Sequence, residues 1–181
     1  LFGSLCPVDY HFMRETSVTA SAEAAIWDGT EDTSWYYREH DVIVSENGER
    51  IAIFNIRTAE ELAGLAKLVR NGNSMKNTMI NLVSDVTLND TTNFDNWDEQ
   101  PPANNWTAIG AVPIEAPNVN VVMTTQPECR NTVFAGMFNG NGHTISGMYS
   151  LHHNYAGLFA RTSGIITNVI VKDSYIQCIN T

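Results

Sequence analysis

The chain has 181 residues, 43% of them hydrophobic, enough for one domain with its own core. Only 17% are charged, and the formal net charge of −10 repels phosphate backbones, which argues against nucleic-acid partners and disfavours anionic glycans. No apolar run reaches the ~18 residues of a membrane-crossing helix, so no segment is expected to insert in a bilayer.

Residues 1–25 have no clear period. Thr19-Ala20-Ser21-Ala22 carries an A-x-A-like pattern, but the residues before it hold Asp9, Arg14 and Glu15 instead of an apolar run, so no signal peptide is read. The segment reads as a leader remnant, a linker or an irregular stretch, and residues 26–181 as a single domain. Cys6, Cys129 and Cys178 allow at most one intrachain disulfide. None lies in a C-x-x-C, and the expectation is free, buried thiols instead of a zinc site.

Residues 27–37 read WDGTEDTSWYY, an aromatic cluster around turn residues. Asp28 and Asp32 resemble a fragment of a calcium loop without the remaining ligands, so a calcium ion competes there with an Asx turn. Asn47-Gly48 separates two alternating runs and predicts a hairpin with strands at 42–46 and 50–56. Residues 58–72 read TAEELAGLAKLVRNG. Thr58 and Glu61 form a capping box, Leu62, Leu65, Ala66 and Val69 make a helical stripe, and Gly72 follows the end. A helix over 58–70 with one apolar face is expected, lying as a lid or cap over an apolar end.

Short strands are expected at 79–82, 85–88 and 106–110, with a polar loop at 89–105 and a long insertion at 111–132 that contains NVNVVMTT. The stretch FAGMFNGNGHTISGMYS, 134–150, then recurs in outline. Gly136, Phe138, Ile145 and Met148 match Gly157, Phe159, Ile166 and Val169 at one offset of 21 residues. A fixed period near 20 residues predicts stacked coils with apolar interiors and glycine corners. The expected fold is therefore all-β, a right-handed parallel β-helix with one N-terminal capping helix. The pattern at 169–181 stops without a cap, so that end is expected to continue into a modular polypeptide or to dock on a neighbouring subunit.

The order TAEELAGLAKLV, then Asp85-Val86-Thr87-Leu88, WTAIG, FNGNGHTISGMYS and AGLF resembles bacterial secreted and surface proteins with GLUG repeats. The arrangement is similar to the N-terminal repeat region of IgA-protease-type metallopeptidases and to modular proteins of gut anaerobes. WDGT followed by DTSWY is also similar to what precedes the helix in those chains. Two departures are present: Ala160 and Asn139 stand where the repeat's Gly-Leu-x-Gly core has its second glycine, and the 111–132 insertion interrupts the pattern. The resemblance implies the fold and a secreted or cell-surface location. It names no ligand.

Metallopeptidase chemistry needs H-E-x-x-H, and His11, His40, His143, His152 and His153 do not supply it. His143 reads as a structural corner residue, and His152-His153 as a surface loop. Polysaccharide lyases and hydrolases need paired carboxylates; Asp95, Asp98 and Glu99 beside Trp97 are the candidates, without a partner from another segment. A non-catalytic, carbohydrate-binding role fits the composition better: exposed rings stack on sugar faces while Asn and Asp bond hydroxyls. The candidate ligand-binding residues are Trp97, Tyr149, Tyr155, Asp95, Asp98, Trp35 and Tyr36. Trp97, Tyr149 and Tyr155 are expected to be exposed, and Trp27, Trp35 and Trp106 to pack under the cap. The expected ligand is a neutral plant polysaccharide, with xylan as the leading candidate. The competing class is an adhesin or self-assembling surface subunit.

Overall fold

The computed structural model describes residues 25–111, 132–152 and 155–178. The 1–25 leader segment (but for Ala25), NVNVVMTT, Cys6, Cys129, His11 and His153 lie outside them.

The hairpin forms as its turn residues dictate. β1 (Asp41–Val44) runs antiparallel to β2 (Arg50–Ile56), with Val44 opposite Arg50. Gly48 turns the chain at φ +80°, and its N–H donates to the Ser45 carbonyl at 2.9 Å. The helix α1 (Ala59–Arg70) starts where Thr58 Oγ1 accepts the Glu61 N–H at 3.2 Å. It stops in a Schellman turn: Gly72, at φ +94°, donates to Val69 O and Asn73 donates to Leu68 O, each at 3.0 Å.

The helix is more than a lid. Nine of its 12 residues are buried, because a second segment covers the side turned away from the sheets. Residues 28–33 cross α1 at Gly64, where an added Cβ would stand 1.9 Å from the Asp32 carbonyl oxygen. Asp32 N–H also donates to Glu60 O at 2.9 Å. Leu62, Leu65 and Val69 share one core with Trp27, Trp35, Phe54, Ile80, Phe138 and Ile145.

The strands that follow are β3 (Thr78–Leu82), β4 (Val86–Thr87), β5 (Met137–Asn139), β6 (Thr144–Ser146), β7 (Tyr149–His152), β8 (Ile165–Thr167), β9 (Ile170–Lys172) and β10 (Tyr175–Cys178). They form a five-stranded sheet in the order β1-β2-β3-β5-β8, a three-stranded sheet β4-β6-β9 and a pair β7-β10. All pairs except β1–β2 are parallel. The expected strand at 106–110 contributes only a bridge from Ile109 to Phe159.

The expected all-β, right-handed parallel β-helix is corrected by this arrangement. The described residues form a small mixed α/β fold, with sheets of five, three and two strands, one antiparallel pair and a helix inside the core. The offset of 21 residues is not the structural register. Phe138 pairs with Ile166 and Ile145 with Val171, separations of 28 (138 to 166) and 26 (145 to 171). Phe159 instead lies against Phe134 and Phe138, with ring centroids 5.3 and 5.4 Å apart. Similar residue types at a fixed offset thus marked shared packing, not strand pairing.

Candidate ligand cleft at the β1–β2 hairpin

A cleft of about 310 Å³ opens where β1 begins, opposite Ile53, and β2 runs on past it. Trp35, Phe54 and Ile53 supply its apolar wall, and Arg38, Glu39, His40, Asp41, Asn55 and Arg57 its polar one.

Local chemistry sets this wall. Asp32 Oδ1 accepts the Ser34 N–H at 2.7 Å and starts a 3-10 turn at Ser34–Tyr37. Trp35 turns inward, 2% exposed, and its Nε1 donates to Glu61 O at 3.0 Å. Tyr36 stacks on Phe54 at 5.2 Å, and Tyr37 meets Tyr36 edge-on at 5.5 Å while remaining 77% exposed. The His40 ring lies 4.4 Å from Phe54. Five rings thus adjoin one another beside the cleft, from fully buried to open.

Arg38 is fixed from three directions. It donates to Glu61 Oε1 at 3.1 Å and to Ser34 Oγ at 2.8 Å, and it pairs with Asp32 Oδ2 at 3.5 Å. Glu61, itself buried, also accepts the Arg57 N–H at 2.7 Å, so one carboxylate anchors two cleft residues. Hydrogen bonds from Ser34, side chain first and then backbone, hold the Asp32 carboxyl below its ordinary range against a small opposing effect of burial, with help from Arg38. The wall carries two guanidiniums and two carboxylates, a near balance of charge that suits a neutral, hydroxyl-rich ligand.

The sequence-derived candidates divide. Trp35 and Tyr36 belong to this cluster. Trp97 and Tyr149, expected to be exposed, are buried at 2% and 8%. Trp97 sits edge-on to Phe94 at 5.3 Å and to Tyr149 at 6.0 Å, and Tyr149 stacks on Tyr175 at 5.3 Å. No sugar reaches a ring closed in this way. Tyr155 is half-buried, and Asp95 and Asp98 are exposed on the loop outside Trp97, away from the cleft. Trp27 and Trp106 are buried in the core, with ring centroids 5.8 Å apart.

Asp28 Oδ1 accepts both the N–H and the hydroxyl of Thr30, at 2.8 and 2.6 Å, an Asx turn that lowers its pKa through the Thr30 hydroxyl first. Asp32 is committed to Ser34 and Arg38. Among the described residues no three His, Cys, Asp or Glu side chains converge on a point that could hold a metal ion. Cys178 is a free thiol and exposed, where burial was expected. His143 takes its expected structural place, with Nδ1 3.2 Å from Asp85 Oδ1 beside the Thr144 N–H that the same oxygen accepts.

Sequence reasoning passed over Phe54, Arg38, His40, Asn55 and Arg57. A signal for two of them was present: Ile53-Phe54-Asn55, Met79-Ile80-Asn81 and Met137-Phe138-Asn139 repeat two apolar residues followed by asparagine. Their uneven spacing hid the match. No protein-family model matches this chain, and no curated protein or solved structure is detectably similar to it.

Proposed function

We propose that the chain is a non-catalytic carbohydrate-binding module of a secreted or surface bacterial protein, which holds a neutral plant polysaccharide in the β1–β2 cleft. One observation carries the reading: Tyr37, 77% exposed, prolongs a row of rings (Tyr36, Phe54, His40) beside a cleft lined by planar polar groups, Asn55, Arg57, Glu39 and Asp41. Ring faces exclude water from the apolar faces of sugars, and planar amide, carboxylate and guanidinium groups bond adjacent hydroxyls in pairs. The resemblance to GLUG-repeat proteins supplies the secreted setting, and xylan is the first ligand to test.

Affinity electrophoresis through gels containing xylan, β-glucan, mannan or pectin tests this reading. Retardation in a neutral glycan, lost in Tyr37→Ala, is the expected result. Unretarded migration of folded protein in every gel overturns it.

A second reading, a self-assembling surface subunit, is favoured by a different observation. Among the described residues, β8, β9 and β10 each pair on one side only, and Ile165, Ile166, Ile170, Val171 and Ile176 are exposed there. Ile166 is 37% exposed, although its register partner Phe138 is fully buried. Such edges favour strand pairing with a second copy. A molar mass that rises with concentration, and falls back in Ile166→Lys, is its expected signature.

A further inference from the structure

The five-stranded sheet has an outer face that continues the cleft. Along β2, β3 and β5, Phe54, Ile80 and Phe138 are in register and buried, so their neighbours point the opposite way. Those neighbours form two rows. Ile53, Met79, Met137 and Ile165 are in register in one row, and Asn55, Asn81, Asn139 and Thr167 in the other. From Ile53 to Met137 and from Asn81 to Asn139 the residues are half-buried, and Asn55 is exposed.

Neither row holds a charge, in a chain whose net charge is −10. Two of the amides are linked, Asn81 Nδ2 donating to Asn55 Oδ1 at 3.2 Å, whereas Asn139 is held by the neighbouring turns: its Oδ1 accepts from Asn168 Nδ2 and from the Asn141 N–H, each at 3.0 Å, and its Nδ2 donates to Asn141 Oδ1 at 2.6 Å. The Asn81–Asn55 bond fixes those two amide planes against each other, and Asn55 is exposed at the end of the row that meets the cleft. Ile53 and Asn55, the first members of the two rows, also line the cleft.

We propose that these two rows are the continuation of the binding site and that the ligand is a linear, uncharged, β-linked polysaccharide running across the strands. This rests on the carbohydrate reading of the cleft. Strands repeat at about 4.8 Å, close to the ring-to-ring advance of an extended β-linked glycan, so successive rings meet the same pair of groups. The Ile53–Met79–Met137 row takes the apolar edges of the rings, and Met conforms to them because its thioether chain is unbranched. Asn55 and Asn81 take the hydroxyls. A repeating protein surface without charge is matched by a repeating ligand without charge. A compact or acidic glycan would leave most of the row unused.

The test is isothermal titration of the full chain with xylo-, cello- and manno-oligosaccharides, from disaccharide to hexasaccharide. The row predicts affinity that climbs about tenfold or more between the shortest and longest member of the recognised series, ~1.4 kcal/mol in all. Met79→Gln and, separately, Asn81→Ala should each bring the hexasaccharide affinity down toward that of the disaccharide, with circular dichroism confirming a folded chain. Affinity that does not depend on length, lost in Tyr37→Ala but untouched by Met79→Gln and Asn81→Ala, overturns the row and leaves the cleft standing. Absence of binding to any member of any series overturns both.

Discussion

Two aromatic clusters in this protein are built from the same side-chain types and end in opposite states. Trp97, Phe94, Tyr149 and Tyr175 form one; Trp35, Tyr36, Tyr37, Phe54 and His40 form the other. Each holds a tryptophan that is 2% exposed. The first closes on itself, since the loop that carries Trp97 folds over β7 and the stacked Tyr149–Tyr175 pair. The second stays open at one side, because β1 begins only opposite Ile53, so the last residues of β2 pair with β3 on one side and with no described strand on the other. Ring content therefore does not decide whether aromatics can bind. The chain that crosses over them does.

The largest expected effect separates the clusters by stability. Trp97→Ala removes a buried indole from the closed cluster and should cost roughly 3–5 kcal/mol. Chemical denaturation measures it. Glycan affinity of the folded fraction should be unchanged, since Trp97 lies away from the cleft. A loss of affinity that exceeds the loss of folded protein would return Trp97 to the binding surface.

Next comes the seat of the open cluster. Gly64→Ala places a methyl 1.9 Å from the Asp32 carbonyl, a backbone atom that cannot swing aside. The crossing segment has to move, at about 1–3 kcal/mol. Because that segment leads directly into Trp35 and Tyr36, the variant should lose both melting temperature and cleft binding. Trp97→Ala should lose only the first. Equal binding by the two variants would show that the crossing does not position the rings.

How far the two clusters could be told apart in the sequence follows from where each is specified. The hairpin and α1 are written locally: Asn47-Gly48 makes the turn, Thr58 and Glu61 the start, Gly72 the stop, and the structure reproduces them to within two residues. The closed state of Trp97 depends on Tyr149 and Tyr175, far along the chain, and a loop without periodicity carries no trace of that contact. The register of β5 on β8 was misread for a related reason. Gly136 and Gly157 are separated by the repeat-like offset, yet Gly164 is the residue whose added Cβ would stand 2.0 Å from Gly136 O. Composition marks a position as small, but only the fold says which small position packs on which. The cleft itself was half legible, through Trp35 and Tyr36. Arg38 looks like an ordinary surface cation until Glu61 is seen to hold its guanidinium, with the same carboxylate accepting the backbone N–H of Arg57.

Tyr37→Ala should act on the open cluster alone. The ring is largely in solvent, so the melting temperature should hardly move. Affinity for the recognised glycan should fall about tenfold, near 1.4 kcal/mol. Set beside Trp97→Ala it makes a reciprocal pair: one variant loses stability and keeps binding, the other keeps stability and loses binding. If Tyr37→Ala binds as well as the parent chain, the openness of this cluster has no functional meaning.

The smallest effect concerns pH and again distinguishes the open cluster. The Asp32 carboxyl is held below its ordinary value of 3.8, by Ser34 first and by Arg38 as well. A carboxylate depressed in the folded state contributes stability above the unfolded pKa and loses it as pH falls through the lower folded pKa. The contribution should therefore be complete at neutral pH, begin to fall near the ordinary value of 3.8 and be gone only below the depressed folded pKa. Asp32→Asn should lower stability at pH 7 by only ~0.2–1 kcal/mol, the worth of an exposed ion pair, and the gap to the parent should close in acid. Arg38 loses one of its three restraints in that variant, so glycan affinity at pH 7 should weaken modestly and lose part of its acid dependence. The closed cluster holds a control. Asp90, depressed by the Thr92 N–H, starts the loop that carries Trp97 and is not among the residues that line the cleft. Asp90→Asn should flatten the acid limb of stability and leave the pH profile of binding as it was. Equal effects of the two substitutions on binding would mean that acid acts through global unfolding, not through the arginine that Asp32 holds in the cleft.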